Sequence, residues 1–129
     1  MANVCSFEML IKGKRQLVLE MLNALTGEGE ELVGRGIETQ SIRIIPEGLE
    51  ISGSCSWSIY ASLVEKEENQ KINLYAACEK YGVNVEIYAE EEGCGIYEHY
   101  IYENGCIREI TRCEPFKKWE FDLAYPKVV

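Results

Sequence analysis

Two kinds of apolar spacing alternate along this chain, and their order predicts its architecture. In residues 5–11 every second residue is apolar, which is typical of a β-strand with one buried face. In residues 14–26 apolar residues recur at spacings of one, three and four, as in an amphipathic helix. The alternating set is Cys5, Phe7, Met9 and Ile11, and the helical set is Leu17, Val18, Met21, Leu22 and Leu25. A strand and a helix, which Gly27 ends, therefore open the fold.

Two hairpins are predicted from turn residues. Residues 41–45 and 49–55 are strand-like and flank Pro46-Glu47-Gly48, a short turn that contains glycine. Residues 97–102 and 106–111 flank Glu103-Asn104-Gly105, and Asn-Gly is among the strongest hairpin signals. The Gly- and Glu-rich residues 28–36 are predicted to be a connection.

A second helix and a further strand lie between these hairpins. Asn69 is predicted to cap the helix and Gly82 to end it. The alternation in residues 83–88 indicates a strand, and an acidic bend is predicted over residues 90–93. Residues 56–64 fit a strand or a helix equally well, and the aromatic residues of 115–129 are predicted to pack onto the body of the protein.

The predicted order is β, α, β, β, α, β, followed by two more strands. This order is that of the ferredoxin-like, or split βαβ, α+β fold. We expect an antiparallel sheet with two helices on one face and a C-terminal β-meander that extends the sheet. A chain of 129 residues is long enough for one domain with its own core, so residues 1–129 are predicted to form a single domain.

The charge of the chain limits its partners. The formal net charge is −9, from 22 acidic and 13 basic residues. Direct binding to nucleic acid is not expected, because that binding depends on Lys and Arg at the phosphates. A basic protein partner fits the charge better, although a high net charge also serves solubility alone.

The six cysteines bear on the compartment. No two have the C-x-x-C spacing, and the first four residues do not resemble a secretory signal. We therefore expect free thiols and a cytoplasmic protein. No stretch is long and apolar enough to predict a membrane span.

Several segments carry a resemblance to a known family. They are Met1-Ala2-Asn3-Val4-Cys5, Ile51-Ser52-Gly53-Ser54-Cys55-Ser56-Trp57-Ser58, Val85-Glu86-Ile87-Tyr88, Glu92-Gly93-Cys94-Gly95 and Glu98-His99-Tyr100. In these the chain resembles the YubB-type ferredoxin-like domain family of phages, plasmids and other mobile elements. The resemblance implies the fold and a mobile-element setting, and it implies neither an activity nor catalytic residues.

Two cysteines are candidates for thiol chemistry. Cys55 or Cys94 could pair with His99, the only histidine, to form a small thiol-dependent enzyme. Core packing is the ordinary role of such cysteines. A zinc site at Cys94, Cys106, Cys113 and His99 is not expected, since their spacing matches no standard pattern. No metal, cofactor or catalytic residue is therefore predicted.

Binding is predicted instead, at carboxylates and one aromatic residue. The candidate binding residues are Glu90, Glu91, Glu92, Glu98 and Trp57. The alternative for the glutamates is a solvated turn. The leading hypothesis is a non-enzymatic acidic protein of a phage or mobile element that binds a basic protein, with inhibition of a host nucleic-acid-binding or defence protein as its most specific form. A homodimer that holds a small ligand on its sheet is a further alternative, by analogy of fold.

Overall fold

The computed structural model describes residues 4–26, 37–56, 58–64, 72–91, 93 and 95–113. Six strands lie in these residues: β1 Val4–Lys12, β2 Glu38–Ile45, β3 Gly48–Ser56, β4 Asn84–Glu91, β5 Ile96–Glu103 and β6 Cys106–Arg112. Two α-helices, α1 Arg15–Thr26 and α2 Leu74–Tyr81, and a π-helical segment, Tyr60–Val64, complete the described elements.

The strands form one antiparallel sheet in the order β2-β3-β1-β4-β5-β6. The predicted α+β class and the C-terminal extension of the sheet by two strands are confirmed, because β5 and β6 add to the edge that β4 would otherwise form. The arrangement is consistent with a ferredoxin-like fold. None of the helices in the described ranges is long and apolar enough to cross a membrane.

Both predicted hairpins are present. At the β5–β6 turn Asn104 has φ 49° and Gly105 has φ 87°. A two-residue turn that matches the twist of its strands requires positive φ at both central residues. Asn and Gly adopt positive φ at low cost. The predicted turn at residues 46–48 joins β2 to β3.

The core lies between the two α-helices and one face of the sheet. Helix α1 buries Val18, Met21, Ala24 and Leu25. The first strand buries the predicted alternating set of Cys5, Phe7, Met9 and Ile11. The prediction for Leu22 needs a correction, since it is only partly buried at the edge of this core. Its angular position on the helix is at the margin of the stripe formed by Val18, Met21, Ala24 and Leu25.

Helix α2 begins at Leu74 and is capped by Asn73. The Asn73 side chain accepts a hydrogen bond from the Ala76 amide over 2.9 Å and donates one to the Val64 carbonyl over 2.9 Å. The predicted cap, Asn69, lies outside the described residues. Gly82 ends the helix with φ 67°, as predicted. Within the ambiguous residues 56–64, Ser56 ends β3 and Tyr60–Val64 form the π-helical segment.

Strand β4 differs from its prediction in two ways. It continues to Glu91, so Glu90 and Glu91 belong to a strand rather than to an acidic bend. Val83, Val85 and Ile87 are buried as predicted, but Glu86 and Tyr88 on the opposite face are buried as well. The C-terminal residues 115–129 lie outside the described residues.

Candidate functional site

The two faces of the sheet carry different chemistry. Directly paired residues of antiparallel strands point to the same face. We call the face of Phe7, Met9 and Ile11, which packs against the helices, the helix-side face. The other, which carries Ser6 and Glu8, we call the far face.

A pocket of about 450 Å³ lies on the far face, across the middle of the sheet. The register explains its composition, because Ser6 pairs with Glu90 of β4, which pairs with Tyr97 of β5. Next to this row, Glu8 pairs with Tyr88 and with Ser52. The residues that line the pocket are Ser6, Phe7, Glu8, Gln40, Ser52, Gly53, Tyr88, Ala89, Glu90 and Tyr97.

The pocket is acidic. Glu8 is half-buried and Glu90 is exposed, and among the described residues that line the pocket none is Lys or Arg. The Tyr97 hydroxyl donates a hydrogen bond to Glu90 Oε1 over 3.3 Å. The negative charge of Glu90 raises the pKa of Tyr97, so the phenol keeps its proton and remains a donor to the carboxylate.

Tyr88 lines the pocket, and contacts with neighbouring buried side chains hold its ring in place. Its ring stacks on the His99 ring with 4.2 Å between centroids and 26° between planes. His99 Nε2 lies 2.7 Å from Glu86 Oε2, and both of these side chains are fully buried. Burial of polar side chains is tolerated when they are hydrogen-bonded to each other. The Glu86–His99 pair therefore helps to fix the orientation of the Tyr88 ring.

The alternative of a pair between Cys55 and His99 does not form. Cys55 pairs with Cys5 on the helix-side face, whereas His99 pairs with Tyr88 on the far face. The two side chains therefore project from opposite sides of the sheet, and His99 cannot act as a base for Cys55. The other cysteine considered with His99, Cys94, lies outside the described residues.

Glu98 is not on an acidic surface, contrary to the prediction. It is 2% exposed and lies on the helix-side face, because strand alternation directs it away from its neighbour Tyr97. Its carboxylate accepts hydrogen bonds from the Ile59 amide at 3.0 Å, the Tyr60 amide at 3.1 Å and the Tyr100 hydroxyl at 2.6 Å. Glu98 thus ties β5 to the segment that leads into the π-helix.

The Glu98 carboxylate also contacts the Cys5 thiol, which faces Cys55 on the neighbouring strand. Cys5 Sγ lies 3.8 Å from Glu98 Oε2, and Cys5 is directly opposite Cys55 in the register of β1 and β3. A hydrogen bond from Cys5 to Cys55 raises the pKa of Cys5, with burial acting in the same direction. The same interaction lowers the pKa of Cys55, while burial acts in the opposite direction.

Only part of the predicted binding set lies at the pocket. Glu90 lines it, and Glu91 is half-buried at the end of β4. Trp57 and Glu92 lie outside the described residues.

In the described ranges no group of three or more His, Cys, Asp or Glu side chains comes together in a way that could hold a metal ion.

Four residues that line the pocket were not predicted as site residues: Ser6, Glu8, Ser52 and Tyr97. The alternation in β1 already places Ser6 and Glu8 on the face away from the apolar core. Whether they lie close to Glu90 depends on which strand pairs with β1 and on the register of that pairing. No local sequence pattern encodes either of these.

Comparison with known proteins identifies no relative, since no protein-family model, no curated protein and no solved structure matches this chain.

Proposed function

We propose that this chain is a non-enzymatic binding protein that recognises a basic protein through the far-face pocket. The observation that carries the proposal is the presence of both Glu8 and Glu90 in the lining of one cavity of about 450 Å³. Their strands are adjacent, so the rigid sheet holds them in place. A cavity of this size accommodates one long side chain, and the lining favours a positively charged one.

The lining groups match an arginine or lysine side chain in three ways. Carboxylates form charge-assisted hydrogen bonds with guanidinium and ammonium groups. The Tyr88 side chain, held by its stack on His99, lines the pocket and can contact the aliphatic stem of a bound side chain. The hydroxyl groups of Ser6 and Ser52 can accept further hydrogen bonds from the same cation.

The charge of the whole chain supports the same partner. A net charge of −9 attracts basic surfaces over a distance of about a Debye length and speeds their association. Specificity would then come from the pocket, where opposite charges meet at short range. Glu90 keeps the role that the sequence predicted for it, while Glu8 takes the place of Glu98.

A ferredoxin-like topology and a mobile-element setting belong to this proposal. The family resemblance of the sequence supports both, and the strand order is compatible with the first. Within that setting, the most specific partner is a host nucleic-acid-binding or defence protein, because a surface built for phosphates is basic and complements an acidic pocket.

Affinity purification of the tagged chain from its native cells tests the proposal. The wild type is compared with a Glu8→Lys/Glu90→Lys variant and with Glu20→Lys, a control at an exposed position of α1. We expect the wild type and Glu20→Lys to retain the same basic protein and the double variant to lose it. Recovery of no partner with the wild type, or equal recovery with the double variant, would contradict the proposal.

The salt dependence of that complex provides a second test. Near 0.5 M salt the Debye length falls to roughly 4 Å, so steering by charge is screened. We expect association with the purified partner to be fast at low salt and markedly slower at 0.5 M. An association rate that does not change with salt would show that charge does not guide the encounter.

A further inference from the structure

The cysteines Cys5 and Cys55 face each other on the helix-side face, at the end of the sheet where β3 leads toward the π-helical segment. They are direct partners in the antiparallel register of β1 and β3. Both are free thiols, with Cys5 fully buried and Cys55 8% exposed. This pair has no role in the far-face pocket, which lies on the other side of the sheet.

The backbone geometry at this position suits a disulfide. Direct partners in an antiparallel pair have Cα atoms about 4.5 to 5.5 Å apart. Disulfides join cysteines whose Cα atoms are about 4.4 to 6.8 Å apart. Closing the bond therefore requires side-chain rotation and little movement of either strand.

We propose that Cys5 and Cys55 form a peroxide-reactive dithiol that closes into a cross-strand disulfide. Cys55 is the attacking thiol, because it is the more exposed of the two and because the neighbouring Cys5 thiol lowers its pKa. Cys5 is the resolving thiol. Glu98 Oε2, 3.8 Å from Cys5 Sγ, is the group placed to accept the proton of Cys5.

The reaction has two balanced steps. In the first, the Cys55 thiolate attacks one oxygen of hydrogen peroxide, the O–O bond breaks, and the hydroxide that leaves is protonated to water. Cys55 is then a sulfenic acid. In the second, Cys5 transfers its proton to Glu98 and its sulfur attacks the sulfur of Cys55. The S–O bond breaks, and the leaving hydroxide takes up that proton as water.

Cys78 provides a matched comparison within the same chain. It is as buried as Cys5, but burial alone raises its pKa, to about 12. A thiol that stays protonated at neutral pH reacts slowly with peroxide. Cys106 and Cys113 are exposed and report the general reactivity of accessible thiols under the same conditions.

The test is peptide mapping of the folded wild-type protein after stepwise treatment with hydrogen peroxide. Remaining thiols are alkylated under denaturing, non-reducing conditions, and peptides are identified by mass spectrometry. We expect a peptide that links Cys5 to Cys55 and is lighter by two hydrogen atoms than its two reduced parts, while Cys78 is alkylated. Treatment with dithiothreitol should restore both thiols. Alkylation of Cys5 and Cys55 to the same extent as Cys78 would overturn the proposal.

Single variants test the assigned roles. In Cys5→Ser we expect the reaction to stop at a sulfenic acid on Cys55, which the sulfenic-acid reagent dimedone captures. In Cys55→Ser we expect Cys5 to remain an alkylatable thiol at the same peroxide dose. Dimedone capture at Cys5 but not at Cys55 would overturn the order of the two steps. Peptide mapping of the wild-type protein tests for the disulfide even if a variant folds poorly.

Discussion

The Nε2 atom of His99 lies 2.7 Å from Oε2 of Glu86, and neither side chain is exposed to solvent. The pair joins β5 to β4, and the His99 ring stacks on the ring of Tyr88. Since Tyr88 lines the acidic pocket, His99, the only histidine of the chain, lies against one of the pocket's lining residues.

Removal of Glu86 tests the structural role of the Glu86–His99 pair. Loss of Glu86 removes the buried hydrogen bond at His99 Nε2, and leaving a buried hydrogen-bonding atom unsatisfied typically costs about 1 to 3 kcal/mol. We expect Glu86→Ala to lower the free energy of unfolding in urea by this amount. The control Glu90→Ala changes an exposed carboxylate of the same strand and should change stability by less than about 0.5 kcal/mol. Equal effects of the two substitutions would refute the role.

The two leucines at the C-terminal end of α1 should differ in their contribution to stability. Leu25 is fully buried, whereas Leu22 is only partly buried. Leu25→Ala should cost about 2 to 5 kcal/mol because it removes buried surface and leaves a cavity. Leu22→Ala should cost less than half as much, since part of that side chain stays in water. Urea unfolding of both variants measures the difference, and an equal or larger loss for Leu22→Ala would contradict the described face of the helix.

Stability should fall at alkaline pH in a manner that depends on Cys78. Burial raises the pKa of this thiol to about 12, whereas in the unfolded chain it ionises near 9. Between these values the folded state binds more protons than the unfolded state, so the free energy of unfolding decreases as the pH rises. From pH 9.5 to 10.5 we expect the wild type to lose about 1 kcal/mol more than Cys78→Ala.

Urea unfolding at the two pH values measures this difference. Comparison with Cys78→Ala removes the contributions that Cys5, Cys55 and the tyrosines make to both proteins. A parallel decline of the wild type and the variant would place Cys78 in a solvated position.

Local patterns in the sequence predicted much of the fold. The period-two alternation of β1 and the Asn104-Gly105 turn are both set by neighbouring residues, so they could be read directly. The N-cap of α2 was missed, because Asn69 and Asn73 carry the same capping chemistry and only tertiary contacts of Asn73, including that with Val64, distinguish it.

The site was less predictable for a related reason. Glu98 and Glu90 look alike in the sequence, but the face on which each lies depends on strand extent and register. Glu98 is buried because the amides of Ile59 and Tyr60, from a distant segment, bind its carboxylate. Such long-range partners leave no periodic signal.

Binding of a basic side chain in the far-face pocket can be measured directly by NMR. A tetra-arginine peptide is titrated into the labelled protein, with the uncharged tetra-citrulline peptide as the control ligand. We expect the amide signals of Ser6, Glu8, Glu90 and Tyr97 to shift most with tetra-arginine and not with tetra-citrulline, because the carboxylates recognise charge. The shifts should vanish in Glu8→Gln/Glu90→Gln and persist in Glu20→Gln. Shifts that lie elsewhere, or that persist unchanged in the double variant, would contradict the assignment of this pocket as the binding site.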